Sequence, residues 1–139
     1  MTTEAWDEFY KPNLTWNHAW GSAPANIVAR KLMGIEPMEA TFSRIRIAPQ
    51  PGSLEEASIR VPTIRGTVEC KLQNKESEWN IEIVLPGNTD TEFWLPDQFK
   101  RVLINGRKTA PARVEGFAGE RRNIFILESG IYTIVASTE

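Results

Sequence analysis

The residues best suited to chemistry crowd into the first two dozen positions. Glu4, Asp7 and Glu8 supply carboxylates, His18 is the only histidine, and Trp6, Trp16 and Trp20 are three of the chain's five tryptophans. Carboxylates can give or take protons, and an imidazole can contact a polar substrate. Indole rings offer an apolar face with a polar edge, which suits a pyranose ring. This is the residue set of a carbohydrate site. Each member also has a plain structural reading. Glu4 could be a surface carboxylate near a chain end, and His18 a capping or packing residue. For Trp6, Trp16 and Trp20, stacking on a sugar competes with packing beneath a loop.

Other chemistries find little support. With one histidine and one cysteine in the chain, no zinc-type ligand set can be assembled, and no metal or cofactor is expected. Cys70 lies in T-V-E-C-K-L, where alternation places it beside Val68 and Leu72 as a small buried hydrophobe. A net charge of −2 gives no general electrostatic case for nucleic acid or an anionic membrane. Arg44, Arg46, Arg60 and Arg65 alternate with apolar residues and read as a solvated strand face. No apolar run nears the roughly 18 residues of a membrane span. No signal-peptide pattern is visible, and the localisation stays unknown.

The elements that must position these residues change character along the chain. Lys11-Pro12-Asn13 is turn chemistry. Ala23, Ile27, Val28 and Leu32 recur at helical spacing. Ser22 is the expected N-cap and Pro24 sits in the first turn; a start near His18 with Pro24 as a kink is the alternative. Gly34 is the expected stop. Beyond it the period becomes two. R-I-R-I, S-I-R-V, T-V-E-C-K-L, W-N-I-E-I-V-L, T-E-F-W-L, V-L-I-N, N-I-F-I-L and Y-T-I-V-A read as strands, separated by turn signals. Asn105-Gly106 predicts a two-residue type I′ hairpin. Some eight strands with scarcely a helix between them predict a mainly β fold, an antiparallel β-sandwich of jelly-roll or Greek-key type preceded by one N-terminal helix. The division expected is 1–40 and 41–139. At 41% hydrophobic residues, such a domain can bury a core.

T-T-E-A-W-D (2–7), Y-K-P-N (10–13), W-N-H-A-W-G-S-A-P-A-N-I (16–27), K-L-M-G-I-E-P (31–37), F-S-R-I-R-I-A-P-Q-P-G-S-L (42–54) and A-S-I-R-V-P-T-I-R-G-T-V-E (57–69) run in nearly unbroken order. Together they resemble the C-terminal end of bacterial α-L-rhamnosidases, an inverting glycoside hydrolase family. The resemblance covers about half the chain; residues from about 75 onward add only strand patterning. It implies an (α/α)6 catalytic barrel followed by a β-sandwich, with residues 1–40 a remnant of the last barrel loop and helix and 41–139 the sandwich. It also implies roles: Glu4 as the general base on the attacking water, His18 as a substrate contact and Trp6 beside the sugar. Asp7 and Glu8 are the nearest alternatives to Glu4, since many relatives read W-E-x-W-D where Thr3 precedes the glutamate here.

Inverting hydrolysis needs two carboxyl groups roughly 6.5–9.5 Å apart, one acidic and one basic. The resemblance places the general acid upstream, so this chain is expected to be a C-terminal piece, inactive alone, that supports a barrel acting on a rhamnose-containing glycan. A helix without its barrel neighbours leaves Trp20, Ile27, Val28 and Leu32 to find cover, and each such burial is worth about 1.5–3 kcal/mol. They can dock on the sandwich or pair with a second copy, giving a homodimer through the helix. The rival functions are a carbohydrate-binding module and a protein-interaction remnant. A module needs exposed aromatics sharing a face, and the neighbours Phe93 and Trp94 must point to opposite faces of a strand. Trp79 and Trp94 read as core or sheet residues.

Overall fold

The computed structural model describes residues 22–139. Its first element is a short helix, α1 (Ala23–Ile27), which runs into a π turn over Val28–Leu32. Pro24 lies in the first turn, where its missing N–H costs nothing. Ser22 is already in helical conformation (φ −85°, ψ −7°), not the extended backbone typical of an N-cap. The apolar positions of this helix part company. Leu32 packs against the core and Met33 is fully buried, whereas Ile27 and Val28 remain 57% and 44% exposed.

Period-two alternation then takes over, as expected from the sequence. Eleven strands follow among the described residues: β1 (Ile35–Pro37), β2 (Arg44–Ile47), β3 (Glu56–Thr63), β4 (Gly66–Lys75), β5 (Glu78–Leu85), β6 (Asp90–Pro96), β7 (Arg101–Ile104), β8 (Arg107–Lys108), β9 (Arg113–Phe117), β10 (Glu120–Leu127) and β11 (Gly130–Ser137). One sheet has the order β1-β2-β6-β10-β9 and the other β3-β4-β5-β11-β7-β8. Every pairing is antiparallel except β2 with β6, which run parallel because the whole β3–β5 meander separates them in sequence. The sheet begins at Ile35, which pairs with Ile47.

The inner faces of the two sheets meet in one core. Ile45, Ile47, Phe93, Leu95 and Phe125 come from the first sheet; Val68, Cys70, Leu72, Ile81, Ile83 and Ile134 come from the second. Val68, Cys70 and Leu72 share the buried face, as their alternation predicts. Burial pushes the Cys70 thiol up to about 12, so it is no nucleophile. Trp79 joins this core and meets Phe99 with ring centroids 5.0 Å apart. Asn105 (φ 49°) and Gly106 (φ 76°) form the two-residue turn between β7 and β8, both in the left-handed region that a type I′ hairpin requires.

Gly34 is the joint between helix and sheet. Its φ of +69° stops the helix, and a Cβ there would lie 2.1 Å from the Ala48 carbonyl oxygen. The Ala48 N–H donates to the Gly34 carbonyl at 3.1 Å, so the joint is clamped to the end of β2. Gly34→Ala should therefore lose about 2–4 kcal/mol in urea unfolding, through strain and a backbone clash together. Gly52→Ala, also at positive φ but facing open space, should lose only about 1 kcal/mol. Equal losses at the two sites would contradict the close-approach argument.

Candidate functional site

Glu4, Trp6 and His18, together with Asp7, Glu8, Trp16 and Trp20, lie outside the described residues. Among the described ones, the densest grouping of charged and aromatic side chains covers the outer face of the first sheet. Alternation along each strand puts it there. In β6, Thr91, Phe93 and Leu95 turn inward, and Glu92 and Trp94 turn outward. In β10, Arg122 and Ile124 share the outward side, while Phe125 is in the core. Phe93 and Trp94 thus occupy different clusters on opposite faces, as their adjacency predicts. Both are buried, as are Trp79 and Phe99, so these four rings form no exposed stacking platform.

Two carboxylates anchor this outer layer. Glu36 in β1 stands directly opposite Arg46 in β2, and Arg46 in turn opposite Glu92 in β6. Glu36 accepts hydrogen bonds from Arg46, from Lys31 Nζ at 2.9 Å and from Arg30 Nε at 3.2 Å. Glu92 is only 1% exposed and accepts from Arg44, from Arg113 Nη2 at 2.6 Å and from the Trp94 indole N–H at 3.0 Å. Burial alone pushes the Glu36 carboxyl up, but the hydrogen bonds from Lys31 and Arg46 and their charges outweigh it and leave it below the usual range. The Glu92 carboxyl follows the same pattern: burial raises it, and hydrogen bonds from Arg113, Trp94 and Arg44 lower it further. The same Glu92 bond, reinforced by Glu115, raises the Arg113 guanidinium.

Aromatic rings fill the space between the charges. The Arg46 guanidinium sits 4.7 Å from the Phe117 ring centre and 5.7 Å from that of Trp94. Trp94 and Phe117 meet edge-on with centroids 5.5 Å apart. Arg122 approaches Phe117 from 5.9 Å and is 3% exposed; burial lowers its ordinarily very high value against the opposing charge of Glu120. Cation–π contacts of this kind are worth about 0.5–2 kcal/mol, more as water is excluded. The sequence reading of Arg46 as part of a solvated face is corrected here, because its guanidinium packs on two rings and the side chain is mostly covered, whereas Arg44 keeps part of its side chain in water while bonded to Glu92. Arg60 does fit that reading, pairing with Glu69 at 2.9 Å while mostly exposed. Arg65 instead ties loops together, donating to the carbonyls of Thr41 and Asn88 at 3.0 and 2.9 Å.

Chemically this layer is a brace. Both carboxylates are deprotonated and occupied by donors, so neither is poised as a general acid. No cluster of three or more His, Cys, Asp or Glu able to hold a metal occurs among the described residues.

A two-sheet β domain with a helix clamped to one edge defines the structural class. Residues 34–110 match the family described as the bacterial alpha-L-rhamnosidase C-terminal domain, and the chain belongs to that family. An alpha-L-rhamnosidase of Formosa agariphila is 29% identical over 124 residues, covering 86% of this chain and 13% of that protein. Among solved structures, the alpha-L-rhamnosidase from Dictyoglumus thermophilum superposes with a TM-score of 0.79 at 22% identity, covering 98% of this chain and 16% of that one. The Streptomyces avermitilis alpha-L-rhamnosidase complexed with L-rhamnose gives 0.72 at 26% identity, covering 96% and 13%. The chain therefore spans about one-seventh of the length of these relatives.

The two depressed carboxylates set an acid limb. Each contributes stability that is fully present above its unfolded value, near 4.5, and is lost as the pH falls through the folded value. Thermal unfolding from pH 7 down to pH 3 should thus show Glu92→Gln less stable than the parent at neutral pH, by about 1–3 kcal/mol. The gap should narrow as the pH drops below 4.5. A gap that stays constant down the series would contradict the charge network.

Proposed function

We propose that this chain serves as the C-terminal domain of an α-L-rhamnosidase, bracing a helical catalytic barrel that hydrolyses terminal α-L-rhamnosyl residues of a glycan. Its division of labour is the one expected from sequence, 1–40 on the barrel side and 41–139 the sandwich, with the boundary moved back to Gly34 because β1 at Ile35–Pro37 is already part of the sheet. The observation that carries the reading is membership of the rhamnosidase C-terminal domain family over residues 34–110. The geometry of the joint agrees with it. The helix is tied to the sheet at Gly34 and Glu36, while Ile27 and Val28 keep an apolar side exposed. A barrel helix would bury that side against its neighbours.

Within the same proposal, Glu4 acts as general base in the complete enzyme, and His18 and Trp6 contact the sugar. The general acid must come from elsewhere. A lone base loses the acid's contribution, about 10²–10⁴-fold, along with the preorganised surroundings of a closed site. An aryl α-L-rhamnoside assay should therefore show no turnover by this chain alone. Turnover that disappears in Glu4→Gln would overturn the inactivity.

The exposed Ile27 and Val28 favour one companion property, self-association through the helix. Sedimentation should give a dimer that Ile27→Asp with Val28→Asp converts to monomer. A clean monomer before substitution would remove this part of the proposal.

A further inference from the structure

The Asn105-Gly106 turn brings together two groups that can react with each other. Asn105 is the chain's one asparagine followed by glycine. Its side-chain amide carbon is an electrophile, and the backbone nitrogen of the next residue is a nucleophile held close to it by the chain itself. Glycine leaves that nitrogen without a neighbouring side chain to crowd it. Both residues are exposed, and a Cβ at Gly106 would meet nothing within 4 Å. Among the described residues nothing accepts a hydrogen bond from the Gly106 N–H. The Asn105 side chain, by contrast, is held by β11. Its Oδ1 accepts from the Thr133 N–H at 2.8 Å, and its Nδ2 donates to the Ile131 carbonyl at 3.4 Å. The Asn105 backbone N–H donates to the Thr133 carbonyl at 2.8 Å.

We infer that Asn105 is a site of spontaneous deamidation gated by this hairpin: shielded while β11 holds its side chain, and converted when the β7–β8 turn opens. The reaction needs only water. The Gly106 nitrogen gives up its proton and bonds to the Asn105 side-chain carbon; the bond from that carbon to the amide nitrogen breaks, and ammonia leaves. Water then opens the resulting cyclic imide at either carbonyl, giving aspartate or isoaspartate. The native hold opposes the first step, because ring closure must turn the side-chain carbon onto the Gly106 nitrogen while Thr133 and Ile131 pin both of its polar atoms. Local opening supplies the missing freedom. β8 is two residues long, lies at the sheet edge and pairs with β7 alone. The two products differ in effect. Aspartate keeps the acceptor for Thr133 but turns a second oxygen, in place of a donor, toward the Ile131 carbonyl. Isoaspartate adds a methylene to the main chain, which a two-residue type I′ turn cannot absorb, so the pairing of Ile104 with Arg107 is lost.

The test ages the 139-residue chain in a mildly alkaline buffer, folded and in guanidinium chloride. Products are mapped by peptide mass spectrometry and by an isoaspartate-specific methyltransferase. The unfolded chain should gain the mass of an amide-to-acid change at Asn105 ahead of every other asparagine, with isoaspartate among the products. The folded chain should gain it more slowly, by about tenfold or more. Gly106→Ala, aged in guanidinium chloride where its fold is immaterial, should slow the unfolded rate by about tenfold, because the added methyl crowds the nitrogen. A folded chain that converts as fast as the unfolded one, an unfolded chain that reacts first at another asparagine, or an unchanged rate in Gly106→Ala would each overturn the inference. None of those outcomes bears on the rhamnosidase reading, which the activity assay tests separately.

Discussion

One carboxylate holds the two parts of this structure in a fixed relation. Glu36 lies in the first strand, yet its donors come from both directions: Arg30 and Lys31 from the last turn of the helix, and Arg46 from the neighbouring strand. Basic residues at a helix C-terminus are favoured by the helix dipole in any case. Here they reach past their own carbonyls to an acid on the sheet, and so point the helix. Gly34 makes the turn sharp enough for this, because only a residue without a Cβ can lie so close to the Ala48 backbone. The direction in which the helix leaves the sandwich is thus a property of the sheet.

Both faces of that sheet carry packed side chains. Its inner side packs on the second sheet, and its outer side carries Trp94, Ile124 and Phe117 with charged groups threaded among them. Burying a charge is costly unless it is paired and hydrogen-bonded. Glu92 meets that condition with three donors, two of them arginines that keep partial contact with water. The layer therefore gains specificity of position without leaving its central acid unpaired. Arg46 and Arg122 meet the condition less fully, since the buried Nε of each has no hydrogen-bond partner among the described residues.

How much of this could be read in advance depended on the kind of signal. The strands with clean alternation, such as Gly66–Lys75 and Glu78–Leu85, announced themselves, as did the Asn105-Gly106 turn. Three strands gave no such signal. Ile35–Pro37 is short and ends in proline, Arg107–Lys108 is two charged residues, and Arg113–Phe117 contains a glycine and two charges. All three are edge strands, where pairing on one side suffices and the side-chain pattern is weakly constrained. The outer brace was illegible for a related reason. Alternation tells which residues share a face, but Arg46 and Phe117 are far apart in sequence, and nothing local says that they pack on each other. The rhamnosidase resemblance was legible because it rested on ordered motifs, and the family match over residues 34–110 agrees with it. The suggested sugar contacts at Glu4, Trp6 and His18 fall in the stretch outside the described residues.

The parallel pairing of β2 with β6 has a consequence for the order in which the molecule can be built. β1 pairs only with β2, β2 otherwise only with β6, and β6 otherwise only with β10. The strand that receives the helix is therefore secured by segments that lie far downstream, the last of them ending at Leu127. A polypeptide emerging from the ribosome makes Gly34 before the strands that secure it, so the sheet beneath that joint is incomplete until nearly all of the domain has been made. The keystone of this arch is laid late: a chain cut short of β10 keeps every residue of the joint and loses the ground on which it stands.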